Sequence, residues 1–321
     1  MVDVATGLVA VGAGLAIGTA GIGSGIGVGI CGAAGAGVIS ENPKKFGTAL
    51  VFQALPQTQA IYGLLVGILL LVGGGLLGGT EGKAVPIEVG YIAIGAGLAT
   101  GIAGLSAIGQ GIAASAAVGA ASEKPEMFGK GMVFSVLPET QAIYGLLISI
   151  LLMVGAGLLG GTPNEMSMAV GLAGIGAGLA VGVAGLSAIG QGIAAAGGIG
   201  TTSEKSEMFG KGMVFSVLPE TQAIYGLLVA ILLMVGTGLL GGEAKEIELA
   251  AGIAAIGAGI SVGFAGLSGI GQGITAASGI GAAAARPDTF GKSMVLSVMS
   301  ETFAIFGLLG AILIMFGVGL F

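Results

Sequence analysis

One twenty-residue phrase, FGKGMVFSVLPETQAIYGLL, occurs twice in this chain, starting at Phe128 and at Phe209. Diverged copies start at Phe46 (FGTALVFQALPQTQAIYGLL) and Phe290 (FGKSMVLSVMSETFAIFGLL), so successive copies lie 81 or 82 residues apart. Repetition at a fixed period makes each copy one structural unit completed by its neighbours. A Gly/Ala-rich apolar run precedes every copy, with Gln110, Gln191 and Gln272 set in GLSAIGQGIAA or its variant GLSGIGQGITA. A short charged stretch joins run to phrase: SENPKKFG from Ser40, SEKPEMFGK from Ser122, SEKSEMFGK from Ser203 and RPDTFGK from Arg286. The unit is therefore two long apolar segments joined by a charged loop, and the chain contains four: 1–80, 81–162, 163–242 and 243–321.

The segments run roughly over 4–39, 48–78, 87–121, 130–160, 166–202, 212–241, 247–285 and 292–320. Each exceeds the ~20 residues that cross a bilayer as a helix. Only 8% of residues are charged and the mean hydropathy is +1.07, whereas a soluble domain carries about 25% charge. Backbone polar groups in lipid must be satisfied within the segment, so the expectation is an all-α membrane protein of eight transmembrane helices in four tandem hairpins. Glycine, 69 of 321 residues, shows no collagen period. In membrane helices small residues let backbones approach, and Gly14, Gly18, Gly21, Gly25 and Gly29 have the spacing for such contact. A G-x-G-x-x-G pattern can be picked from these runs, but with no preceding strand it is a packing feature and not a phosphate loop. Cys31 sits among small apolar residues and is read as a packing residue. The start of the chain lacks the basic stretch of a cleavable signal, so none is expected.

Eight of the ten basic residues (Lys44, Lys45, Lys124, Lys130, Lys205, Lys211, Arg286 and Lys292) fall in the loops within the hairpins. Lys83 and Lys245 lie on the other side, together with Asp3, Glu81, Glu88, Glu165, Glu243, Glu246 and Glu248. The positive-inside rule then puts the within-hairpin loops in the cytoplasm and both termini outside, in a multi-pass protein of the cell membrane.

Within the apolar phrase stand Glu139, Glu220 and Glu301. A carboxylate at bilayer depth costs roughly 2.5–3.5 kcal/mol on insertion scales, which makes each a functional candidate. On a helix turning about 100° per residue, Leu137, Thr140, Gln141 and Tyr144 form one stripe and Glu139 points away from it. Carboxylate and neutral oxygens therefore cannot meet within a helix, but they can meet between successive hairpins. Three complete sets follow. The first is Leu55 (carbonyl), Thr58, Gln59, Tyr62, Gln110 and Glu139; the second is Leu137, Thr140, Gln141, Tyr144, Gln191 and Glu220; the third is Leu218, Thr221, Gln222, Tyr225, Gln272 and Glu301. The ends of the chain fit this scheme. The last phrase has Phe303 and Phe306 where the others have glutamine and tyrosine, while the first hairpin has Gln57 in place of the carboxylate and Val28 in place of the inner glutamine. Both halves of a fourth site, shared between the last hairpin of one copy and the first of the next, are missing together.

Carboxylate, amide, hydroxyl and carbonyl oxygens suit a small hard cation, and the soft ligand His is absent altogether. A bound cation neutralises the glutamate, and a proton does the same, so Na⁺ and H⁺ compete for one residue. The tyrosines either hydrogen-bond the glutamate or simply pack.

The LPETQAIYG, SETFAIFG, SGIGxG and AIGQG segments resemble the proteolipid (c, or K) subunit of V-type and archaeal A-type rotary ATPases, over the whole chain. The resemblance implies a rotor ring built from copies of this chain, turning against a stator membrane subunit whose arginine discharges each site. It also implies a central-stalk subunit at the cytoplasmic loops and membrane lipids around the ring. Nucleic acid is not an expected partner. No covalent chemistry and no cofactor beyond the transported ion are expected, since no Walker-type loop is present. Na⁺ is the preferred ion and H⁺ stays open. A repeat-built secondary transporter is the competing class, but such proteins use inverted repeats around one midplane site, whereas these four units share one orientation.

Overall fold

The computed structural model describes residues 3–78, 85–160, 162–241 and 244–321, which form helices and turns and, among the described residues, no strand. Among the described residues eight helices are long and apolar enough to cross a membrane: α1 (Val4–Glu41), α2 (Pro43–Gly73), α3 (Ile87–Glu123), α4 (Met127–Gly155), α5 (Met168–Glu204), α6 (Ser206–Gly236), α7 (Leu249–Ala285) and α8 (Pro287–Gly317). The first member of each pair is 37 or 38 residues long. At about 1.5 Å per residue that is about 55 Å, against about 30 Å of hydrocarbon, so these helices project well beyond the lipid. Glu81, Lys83 and Glu243 lie outside the described residues, as do the unit boundaries at 80/81 and 242/243.

Helices α1, α3, α5 and α7 begin and end within two residues of the expected segments. The second helix of each pair instead starts and stops three to six residues earlier than expected. At the start, Pro43 and Pro287 open a helical turn inside the charged loop, where the missing proline N–H would have had no partner anyway. At the end, Gly75, Gly157, Gly238 and Gly319 take left-handed backbone angles, φ 71–80°. The Gly75 N–H donates to the Val72 carbonyl and the Leu76 N–H to the Leu71 carbonyl, and the same pair of bonds recurs at Gly157 and Gly319. This double bond pattern around a glycine terminates a helix, although the apolar sequence continues past it.

The helices stand in two layers. α1, α3, α5 and α7 pack side by side in chain order as an inner row; α2, α4 and α6 each pack on their own inner partner and on the next inner helix, and α8 packs on α7. Glycine makes the inner row possible. A Cβ at Gly95 would fall under 3.0 Å from the Gly174 carbonyl, one at Gly178 likewise from Gly95, and one at Gly192 likewise from Gly109. Backbone therefore lies directly on backbone along the row. On α1 the packing glycines are Gly12, Gly23 and Gly27, whereas Gly14, Gly18, Gly21, Gly25 and Gly29 have nothing within 4 Å. The spacing of small residues marks a usable face; the register with α3 decides which of two such faces is used.

The second helices are stapled by edge-on aromatic pairs, Phe52–Phe128, Phe134–Phe209 and Phe215–Phe290, with ring centroids 5.3–5.5 Å apart. Their outer faces expose apolar side chains such as Ile61, Leu65, Ile143, Leu147, Ile224 and Leu228, the surface that lipid covers.

Candidate ion site between helix pairs

At one height in the bundle the α-helices tighten. Leu55–Gln57 in α2, Leu137–Glu139 in α4 and Leu218–Glu220 in α6 are 3₁₀ turns with proline as the second residue. Proline lacks the N–H that a regular α-helical bond would need, and the tighter turn brings the leucine carbonyl under the threonine. The Thr140 hydroxyl donates to the Leu137 carbonyl at 3.0 Å, and the Thr221 hydroxyl to that of Leu218 at 3.0 Å. Helices α3 and α5 have their own 3₁₀ turns, Gly104–Ser106 and Gly185–Ser187, just before Gln110 and Gln191.

From that turn a relay crosses to the next hairpin. In the second set the Thr140 hydroxyl shares its one proton between the Leu137 carbonyl and Gln141 Oε1, the latter at 3.1 Å. Gln141 Nε2 donates to Gln191 Oε1 at 2.8 Å, and Gln191 Nε2 to Glu220 Oε2 at 3.2 Å. The Tyr144 hydroxyl closes the circuit on Glu220 Oε1 at 2.6 Å. The first set repeats it: Thr58 to the Leu55 carbonyl (3.2 Å) and to Gln59 (3.1 Å), Gln59 to Gln110 (2.7 Å), Gln110 to Glu139 (3.2 Å) and Tyr62 to Glu139 (2.7 Å). So does the third: Thr221 to Gln222 (3.1 Å), Gln222 to Gln272 (2.6 Å), Gln272 to Glu301 (3.2 Å) and Tyr225 to Glu301 (2.6 Å). All six glutamines are fully buried, while the three glutamates are half-buried at the outer surface.

The structure thus brings together every residue of the three expected sets. Each set draws on three helices: the second helix of one hairpin supplies carbonyl, threonine, glutamine and tyrosine, and both helices of the next supply the other glutamine and the acid. Both oxygens of each glutamate accept a hydrogen bond, one from a glutamine amide and one from a tyrosine hydroxyl. Hydrogen bonds to a charged group are the stronger kind. The tyrosines are partners of the acids as well as packing groups.

Other cross-hairpin contacts carry no signature in the sequence. The Lys124 ammonium donates to the Ser203 carbonyl, and Lys205 Nζ to that of Ala284 at 2.6 Å. A cation at a helix C-terminus is favourable, and here it ties α3 to α5 and α5 to α7. Thr100 Oγ1 and Ser149 Oγ lie 2.6 Å apart, buried within the second hairpin; Val181 and Ala230 hold those places in the third, so the contrast between copies was the available signal.

At the chain's two ends the set is dismantled. Phe303 and Phe306 are each 62% exposed at the positions of the buried Gln59 and the half-buried Tyr62. Val28 and Gln57 line an open recess with Gly21, Ser24, Gly25, Ala60 and Ile61.

Sequence comparison gives this architecture relatives. The pattern of the ATP synthase C-subunit family matches four times, over residues 11–70, 94–152, 166–233 and 249–314. The A-type ATP synthase subunit K of Methanocaldococcus jannaschii is 59% identical over 227 residues, 71% of this chain and 96% of that protein. The V-type sodium ATPase subunit K of Enterococcus hirae is 39% identical over 130 residues, 40% of this chain and 80% of that protein. The 16 kDa proteolipid of the V-type proton ATPase of Homo sapiens is 28% identical over 162 residues, 48% of this chain and 97% of that protein. With four matches spread over both helices of every hairpin, this multi-pass membrane chain belongs to the ATP synthase C-subunit family, as a proteolipid (c/K) subunit of a rotary ATPase.

Proposed function

We propose that this chain transports Na⁺ through the membrane sector of a rotary ATPase, at Glu139, Glu220 and Glu301, with three sites for every four hairpins. The observation that carries this reading is the relay itself, repeated three times with each acid reached by the tyrosine hydroxyl of the preceding hairpin. A site split between neighbours in a row suits a ring, in which copies of the chain continue the row until it closes. Each ring position takes an ion from one side, travels through lipid as a neutral pair, and gives the ion up on the other side when the stator subunit is met. The charged within-hairpin loops then face the cytoplasm and the central stalk. The chain forms and breaks no covalent bond; ATP is handled by other subunits.

Na⁺ is supported by the donor set of carboxylate, amide, hydroxyl and carbonyl oxygens, which fits a small hard cation, and by the similarity to the V-type sodium ATPase subunit K. The relatives named for proton ATPases keep H⁺ as the second reading. Carbodiimide labelling of the purified protein separates the two, because the reagent attacks a protonated carboxyl. Na⁺ is expected to protect Glu139, Glu220 and Glu301, read site by site by peptide mass spectrometry. Labelling that depends on pH and ignores Na⁺ would assign the protein to protons.

A further inference from the structure

We infer that the fourth junction is an aromatic plug: Phe303 and Phe306 of one copy fill the recess lined by Gly21, Gly25, Val28 and Gln57 on the first hairpin of a second copy. The inference rests on the ring reading and adds how the ring closes at the place where the ion site is missing. It follows from continuing the register of the three internal junctions by one step. There, Gln59 meets Gln110 and Tyr62 meets Glu139. The corresponding residues at the end of the row are Phe303 opposite Val28 and Phe306 opposite Gln57. The two phenylalanines already form an edge-on pair, with ring centroids 6.4 Å apart, that projects from α8. Val28 and Gln57 share one open recess floored by glycines that have nothing within 4 Å.

Independent positions along the same two edges match in the same register. Internal junctions set a buried phenylalanine against one from the next hairpin; at the ends Leu296 (60% exposed) stands in the place of Phe215 and Phe46 (58% exposed) in that of Phe290. Gly176 lies against the Ala255 carbonyl and Gly190 against that of Gly269. Their counterparts on α7, Gly257 and Gly271, have no backbone neighbour, nor do Gly14 and Gly29 on the free face of α1. Lys124 and Lys205 reach the last carbonyls of the next inner helix, and Arg286, in the same place on α7, is aligned with the end of α1. Glycine faces, apolar edge and basic clasp are all present at both ends, and only the polar relay has been replaced. The second copy is therefore held by apolar contact where the internal junctions hold an ion.

Rebuilding the site tests this. The variant carrying Val28→Gln, Gln57→Glu, Phe303→Gln and Phe306→Tyr restores, across the seam, the residues present at the internal junctions. The number of carboxyls per chain that react with carbodiimide and are protected by Na⁺ or by raised pH is expected to rise from three to four, the new one at position 57. A second measurement does not depend on that variant folding. In a Cys31→Ala background, Val28→Cys with Phe303→Cys should be joined by a short bis-maleimide into multiples of the chain mass, while either single variant stays unlinked. An intact ring by native mass spectrometry in which these cysteines fail to link, or a folded ring of the rebuilt variant still showing three carboxyls, would overturn the plug. An unaltered protein with no ring by native mass would instead overturn the ring reading.

Discussion

Replacing Tyr144 with Phe tests the central geometry, because it separates a site built between hairpins from one built within them. The Tyr144 hydroxyl donates to Glu220 Oε1 at 2.6 Å and makes no such bond to Glu139, the acid on its own helix. A hydrogen bond to a charged group contributes about 1.5–3 kcal/mol, which corresponds to roughly 10- to 140-fold in an equilibrium constant. Phe keeps the ring and its packing, and Glu220 keeps its second bond, from Gln191 at 3.2 Å. The expected result is a loss of that size in the apparent Na⁺ affinity at Glu220 alone. The assay is Na⁺ protection of each glutamate from carbodiimide, resolved by peptide mass spectrometry. The peptides differ downstream of the shared phrase, LLISILLMVG after Glu139 and LLVAILLMVG after Glu220. Glu139 and Glu301, served by Tyr62 and Tyr225, are internal controls. A shift at Glu139, or an equal shift at all three acids, would refute the reasoning.

Gln191→Leu leaves the Gln141 amide without its acceptor and removes a donor from Glu220; Na⁺ protection at Glu220 should be abolished, with about 1–3 kcal/mol of stability lost, read by thermal unfolding in detergent. Gly192→Ala forces a methyl onto the Gly109 backbone and should cost about 1–3 kcal/mol through overpacking. Gly200→Ala, whose added methyl meets nothing within 4 Å, should be neutral or slightly stabilising in the same thermal assay. At the start of α1, bonds from the Thr6 backbone N–H and hydroxyl hold the Asp3 carboxyl below its usual range. That support is present above the ordinary carboxylate range and disappears as pH falls through the lowered folded value; the protection factor of the Thr6 amide, with exchange corrected for its intrinsic pH dependence, should fall on acidification in the native chain and stay level in an Asp3→Ala variant.

The repeated phrase and the length of the apolar runs made the eight helices legible, because a period and a bilayer thickness leave few alternatives. Leu137, Thr140, Gln141 and Tyr144 were legible as one stripe because helical spacing places them there, and Glu139 was legible as their opposite. What spacing could not convey is direction across a gap. That Gln110 bridges Gln59 to Glu139 depends on how two helices lean, which tertiary packing fixes. The ends of α2, α4, α6 and α8 are not legible in the sequence for a local reason: hydropathy carries on through Leu76 and Leu158 after a left-handed glycine has already stopped the helix. The choice between Gly12 and Gly14 as the packing residue of α1 was likewise invisible, since both belong to small-residue stripes and only the neighbour selects one.

On the proposed reading, Gln57 and Phe303, standing where an acid and its partner glutamine stand in the other copies, would set a transmission ratio. With the three sites proposed above, one quartet of hairpins would pass three charges, so at 100 mV it would couple to about 6.9 kcal/mol, where four acids would couple to about 9.2, at about 2.3 kcal/mol per charge. A machine geared this low pushes ions against a steeper voltage for each ATP spent, and needs a larger voltage to make ATP in reverse. Because the four hairpins are one polypeptide, that ratio would be written into the sequence and could not drift by the gain or loss of a single hairpin.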